Sequence, residues 1–259
     1  MRRVHIPRNV TVKPPTLVAH RGYALRYPEN TMPALRAAIE AKAGYIEFDV
    51  QMTADGVPVL LHDTDLWRTG RLDKNIYDMT IEQVMQVEVN EDTRLGGRFT
   101  DVHIPILSDI VELLQEHPEV TAFVELKRAS LVRAGVEHMV DRVLDELKPV
   151  LSQCVVVSFD PTALEHARAA HKMPIGWALF EWSDATHAGA EGLQPEYLFC
   201  NYTLIPDDAE LWKGPWRWVL YEVVDPELAL SMAAFGAEFV ETMAIKEMLY
   251  DRRLIPHGT

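Results

Sequence analysis

Short apolar runs alternate along this chain with longer segments in which apolar residues recur every three or four positions. The runs cover residues 16–20, 44–50, 121–126, 154–159, 174–180, 196–202, 216–224 and 238–242. Their length and their β-branched and aromatic content predict strands. Between most of them the spacing predicts helices. Over 31–43, Met32, Leu35, Ala38 and Ile39 fall on one face, and Pro33 suits a first turn. Further helices are expected over 108–116, with Ser108 or Asp109 as cap, and over 131–147, 161–171 and 226–235. Shorter ones are expected near 80–86 and 207–212, and the tail 243–259 reads as a last helix. Residues 181–192 carry little pattern, and residues 1–15 read as a lead-in arm.

Eight strands alternating with helices predict an α/β fold, a closed TIM-type (β/α)8 barrel with residues 1–259 as a single domain. An open doubly wound sheet is the alternative. No glycine-rich phosphate turn follows the first strand, which counts against its nucleotide-binding form. A ninth run, 57–61, breaks the alternation. It is reached through Thr53-Ala54-Asp55-Gly56, a link far shorter than the dozen or more residues of a parallel crossover. It therefore returns antiparallel and brings His62 back to about the level of Glu47. From 63 to 104 the pattern dissolves into a polar stretch broken by Gly70, Gly96 and Gly97, an insertion subdomain or lid after the second strand's hairpin.

The 259 residues are 48% hydrophobic and 25% charged, enough to build a sizeable core. The formal net charge of −14 argues against nucleic acid as a partner, and an anionic substrate would need positive charge supplied locally. Cys154 and Cys200 lie in apolar runs with no metal-ligand spacing and read as buried structural thiols. Neither a secretory leader nor an apolar run of membrane-spanning length stands out, so no membrane insertion and a cytoplasmic location are expected.

In a barrel of this kind sites lie at the C-terminal ends of the strands. His20 and Arg21 end the first run, Glu47 and Asp49 the second, His62 the return, and Glu125 and Lys127 the next. Residues two apart in a strand share a side, so each acidic pair or acid–lysine pair faces one way. Glu47 and Asp49 taken alone would face solvent or pair with Lys42 or Lys127. Three carboxylates gathered in a barrel mouth instead call for a cation, and oxygen ligands suit Mg²⁺ or Ca²⁺. Two imidazoles nearby can give and take protons near neutral pH, and Arg21 makes a plausible phosphate fork. His103, His117, His138, His166, His171, His187 and His257 read as surface or packing residues, and Trp212, Trp216, Trp218 and Tyr221 as core.

The ordered set His20-Arg21-Gly22, Pro28-Glu29-Asn30-Thr31, Glu47-Phe48-Asp49-Val50, Asp55-Gly56-Val57-Pro58-Val59 and His62-Asp63 resembles the glycerophosphodiester phosphodiesterase family. Arg68-Thr69, Ile104-Pro105-Ile106-Leu107, Val124-Glu125-Leu126-Lys127 and Ser158-Phe159 extend the likeness, which covers roughly residues 16–165 well. The resemblance implies a barrel with a small insertion. It implies one divalent cation on Glu47, Asp49 and Glu125, and His20 and His62 as general acid and base in either order. It implies phosphate held by Arg21 and Lys127. The substrate would be a small-molecule glycerophosphodiester, cleaved to glycerol 3-phosphate and an alcohol such as choline, ethanolamine or inositol. The attacker is water or the neighbouring glycerol hydroxyl.

The C-terminal part departs from the family. Leu220-Tyr221-Glu222-Val223 stands where the family commonly shows Trp-Thr-Val-Asn, and Glu241-Thr242-Met243-Ala244 where it commonly shows Thr-Asp-x-Pro. Three other readings stand beside the hydrolase. One is a phospholipid head-group lyase of the same barrel type. Another is a metal-dependent sugar enzyme, which leaves Arg21 and Lys127 without a role. The last is a phosphodiester-binding barrel that has lost turnover.

Overall fold

The computed structural model describes residues 12–255. Its strands, in chain order, are β1 (Thr16–Ala19), β2 (Tyr45–Met52), β3 (Pro58–Leu60), β4 (Asp65–Leu66), β5 (Leu72–Asn75), β6 (Thr121–Leu126), β7 (Cys154–Ser158), β8 (Ile175–Ala178), β9 (Tyr197–Asn201), β10 (Arg217–Tyr221) and β11 (Phe239–Thr242). Eight of them run parallel in the order β1-β11-β10-β9-β8-β7-β6-β2, and a β1–β2 pairing closes the ring. The TIM-type barrel is thus the observed fold. β3 hangs on β2 as an antiparallel return.

Alternation decides what each strand buries. Leu17, Phe48, Val124, Val156, Leu198, Leu220 and Val240 point outward into the main core beneath the helices. Their neighbours Val18, Phe123, Val157, Ala178, Phe199, Val219 and Phe239 form a separate cluster inside the ring. Gly176 makes room there, because a Cβ at that position would stand 2.6 Å from the Phe199 ring. The next inward residue on each strand emerges from this apolar floor at the C-terminal mouth.

β3 is shared between two cores. Leu60 joins the main core, whereas Val59 and Leu61 join a second cluster with Leu66, Ile76, Met79, Val84, Val102 and Ile104. Residues 63–104 therefore fold around apolar contacts of their own, with the β4–β5 hairpin and short helices Ile81–Val84 and Asp92–Leu95.

Several sequence expectations need correction. The helix over 131–147 is two helices, Arg128–Ala134 and Val136–Leu147, broken at Gly135, whose φ of +91° no helix accommodates. Residues 181–192 contain a helix, Asp184–Leu193, capped by Ser183 accepting from the Thr186 N–H. Its small residues bury only Ala190 and Leu193, which hid the period. No helix covers 207–212; a single turn spans Tyr202–Leu204, and the loop beyond is pinned by Trp212, whose ring lies 4.1 Å from Trp182 and whose carbonyl accepts from the Trp218 indole. The helix Leu107–Glu116 takes its cap from Asp109 reaching back to the Ile106 N–H, not from Ser108. In the tail a helix covers Ile245–Leu249; His257, and most of the lead-in arm, lie outside the described residues.

Candidate active site

Every site residue named from the sequence lies around one mouth. His20 follows β1 and faces inward, two residues beyond Val18. The chain then turns through Arg21 and Gly22, at φ 56° and 76°. A Cβ on Gly22 would meet the Ala34 backbone at 2.6 Å, so only glycine fits this turn. The turn aims the Arg21 N–H at Glu47 Oε2, 2.9 Å away. Glu47 and Asp49 continue the inward side of β2 above Tyr45, and Glu125 does so on β6 above Phe123. The β2–β6 register sets Asp49 directly opposite Glu125. One oxygen each from Glu47, Asp49 and Glu125 lies within 4.8 Å of the others. The antiparallel register ends with Val50 opposite Leu60, and just beyond it the Gln51 amide donates to the His62 and Asp63 carbonyls at 3.1 and 3.2 Å, holding His62 beside β2.

Arg21 and Lys127 are engaged with acids. Lys127 Nζ donates to Asp49 Oδ1 at 3.1 Å and Glu125 Oε1 at 2.8 Å, and Arg21 Nε stands 3.2 Å from Asp49 Oδ2. Burial opposes the charge on Asp49, yet Lys127 and Arg21 outweigh it and hold this carboxyl far below its usual range. Burial also opposes the Lys127 charge, and Asp49 and Glu125 overcome it, keeping the ammonium protonated. Glu47 is different. Burial, then repulsion from Asp49, pushes it well above the ordinary glutamate value, and its Oε1 has no partner among the described residues. Burial similarly raises Glu125. A buried all-oxygen set with an orphaned carboxylate oxygen fits a hard divalent cation. His20 is pulled down to about 3, first by burial and then by Arg21, so its ring is neutral at physiological pH.

Sequence reasoning gave no role to five residues that shape this mouth. Glu29 binds Arg21 at 2.9 Å and both terminal nitrogens of Arg68 at 2.9 and 2.6 Å. Arg68 in turn holds Asp63 at 2.6 Å, and Asp63 meets His62 Nδ1 at 2.7 Å. Asp63, its pKa lowered first by that bond, is ionised and accepts, so His62 donates through Nδ1 and turns Nε2 to the mouth. Asn30 donates to Asp49 Oδ2 at 2.8 Å and accepts from the Asp49 N–H at 3.0 Å. Glu29, Asn30 and Arg68 stood in quoted motifs, but their spacing points to no particular partner. Glu241 was legible in principle, as an acid at an inward position of an apolar strand.

Comparison with known proteins follows this geometry. The model of the glycerophosphoryl diester phosphodiesterase family matches residues 20–204. The glycerophosphodiester phosphodiesterase of Caldanaerobacter subterraneus is 28% identical over 200 residues, 75% of this chain and 79% of the relative. Mouse glycerophosphodiester phosphodiesterase 1 is 33% identical over 152 residues, 58% of this chain. The match spans 44% of the mouse protein, less than half its length. Among solved structures, an Oleispira antarctica phosphodiesterase in complex with the product sn-glycerol-3-phosphate superposes with a TM-score of 0.78 at 23% identity, covering 91% of this chain and 95% of that one. A glycerophosphodiester phosphodiesterase from Agrobacterium tumefaciens gives 0.71 at 18% identity over 92% and 100%. Both share the fold.

Proposed function

The chain belongs to the glycerophosphoryl diester phosphodiesterase family, and we propose that it hydrolyses a glycerophosphodiester to glycerol 3-phosphate and an alcohol, aided by one divalent cation. The observation that carries this reading is the meeting of three carboxylates, two imidazoles, an arginine and a lysine at one barrel mouth. Glu47, Asp49 and Glu125 would hold Mg²⁺ or Ca²⁺, which when bound neutralises charge on the phosphate oxygens. Lys127 and Arg21 border the same carboxylates and add positive charge for the phosphate, Arg21 with the fork that suits it.

The two histidines divide the proton work. His20 is buried and neutral, fit to take the proton of the attacking hydroxyl, whether of water or of the adjoining glycerol carbon. His62 is oriented by Asp63 through Nδ1, leaving Nε2 to deliver a proton to the departing alkoxide. One proton is removed and one supplied, so the groups exchange states in a turnover. The free, buried thiols Cys154 and Cys200, both pushed up to about 12 by burial, suit a reducing, cytoplasmic setting. Among the described residues no helix is long and apolar enough to cross a membrane.

The test is a panel of glycerophosphodiesters assayed for glycerol 3-phosphate release with and without added cation. Release that requires Mg²⁺ or Ca²⁺ supports the reading; full release by metal-stripped protein, or none from any diester, overturns it.

A further inference from the structure

Glu241 is a buried acid that the proposed reaction leaves unused. It sits on β11 two residues beyond Phe239, so it shares the inward side of that strand with the apolar floor. The β1–β11 register places it opposite Val18, one pleat below His20. It is 3% exposed. Its Oε2 lies 4.0 Å from His20 Nε2, and among the described residues no group donates a hydrogen bond to its Oε1.

Two ordinary roles fail. A structural acid buried this deeply is paired, as Glu29 is by two arginines, and among the described residues Glu241 has no such cation. A ligand of the cation would join the oxygen cluster, but among the described residues that group consists of Glu47, Asp49 and Glu125. A buried acceptor without a donor is destabilising. That cost is recovered when a donor enters the mouth.

The donor's identity follows from position. Phosphoryl transfer puts attacking and leaving oxygens roughly in line on opposite sides of phosphorus. Glu241 stands beside His20, the proposed base, and so on the side away from the departing alcohol. The hydroxyl-bearing group on the retained side is the glycerol.

We propose that Glu241 is a specificity-determining residue that accepts a hydrogen bond from a glycerol hydroxyl of the substrate, and so selects polyol phosphodiesters over diesters without hydroxyls. The inference rests on the phosphodiesterase reading above.

The test compares glycerophosphocholine with methyl phosphocholine, which shares the choline but lacks the hydroxyls. The protein is the full chain with saturating cation, as wild type, Glu241→Gln and Glu241→Leu. The ratio of kcat/KM between the two diesters should fall by roughly ten- to hundredfold in Glu241→Leu, chiefly through KM, and less in Glu241→Gln, whose amide oxygen still accepts. An unchanged ratio overturns the proposal, whether both diesters lose equally or neither does. An unchanged ratio with a raised cation requirement would make Glu241 a ligand instead. If wild type cleaves no diester, the hydrolase reading fails separately. Calorimetry of glycerol 3-phosphate against methyl phosphate on the same three proteins then decides the inference, weaker discrimination in Glu241→Leu supporting it and equal discrimination overturning it.

Discussion

The rim of the barrel divides into two arcs. Along β1, β2 and β6 the inward residues are His20, Glu47, Asp49 and Glu125, with Arg21, Lys127, Asn30 and Arg68 threaded among them. Charges alternate through Asp63, Arg68, Glu29, Arg21 and Asp49, each touching the next. Along β7 to β11 the same inward position gives Phe159, Phe180, Asn201, Tyr221 and Glu241. Phe159 and Phe180 lie tilted with ring centroids 4.3 Å apart, Arg128 lies over Phe180, and among the described residues the one carboxylate has no cation. One rule of strand alternation built both arcs. The first gathers acids with the cations that make them tolerable. The second is mainly aromatic, with Asn201 and one acid, Glu241, whose Oε1 has no partner among the described residues. On the proposed reading, chemistry belongs to the first arc and selection to the second.

The strongest blow to this division would come from the histidines. His20→Ala and His62→Ala should each lower kcat by roughly 10²- to 10⁴-fold while circular dichroism stays native; near-normal turnover in both would remove chemistry from the first arc. Next in size is Glu29→Ala, which removes charged hydrogen bonds to Arg21 and Arg68 while leaving Arg21 beside Asp49, and should cost about 1.5–3 kcal/mol in urea denaturation. The pH dependence comes third. His20 titrates at about 3 when folded against 6.5 ordinarily, so between those values the unfolded chain binds a proton that the native one does not. Stability should fall as pH drops through that window, by at most about 1.4 kcal/mol per unit from this group, and His20→Gln, measured in EDTA, should flatten the slope.

On the second arc the sign reverses. Burial raises the Glu241 pKa, so its penalty grows as pH climbs above about 4.5, and Glu241→Leu should stabilise the fold at pH 7 by about 1 kcal/mol. A loss of stability there would mean that Glu241 has a structural partner and blur the contrast. Smallest of all, Arg36→Ala removes an ion pair whose side chains are 48% and 58% exposed and should change stability by less than about 0.5 kcal/mol.

The barrel was readable because its signals are local. Apolar runs, the Asp55-Gly56 turn and the helix periods each fix a few neighbouring residues, and β6 and the helices 161–171 and 226–235 fall where the spacing put them. Failures occurred where small residues bury little, as in Asp184–Leu193, or where one glycine splits an unbroken period, as at Gly135. In the mouth, parity along a strand told which acids face together. It did not tell that Arg68 crosses 39 positions to reach Glu29 twice, because such pairing depends on how the insertion docks. Nor does a family pattern disclose Glu241, since that acid belongs to this chain's own departure from it.

β3 gives one flank to the cylinder and the other to the small cluster beyond it, and His62 follows directly from that seam. The two imidazoles therefore have different guarantors. On the proposed reading, a proteolytic nick or mild warming that loosens residues 63–104 would displace one of them and abolish turnover while the cylinder stayed folded.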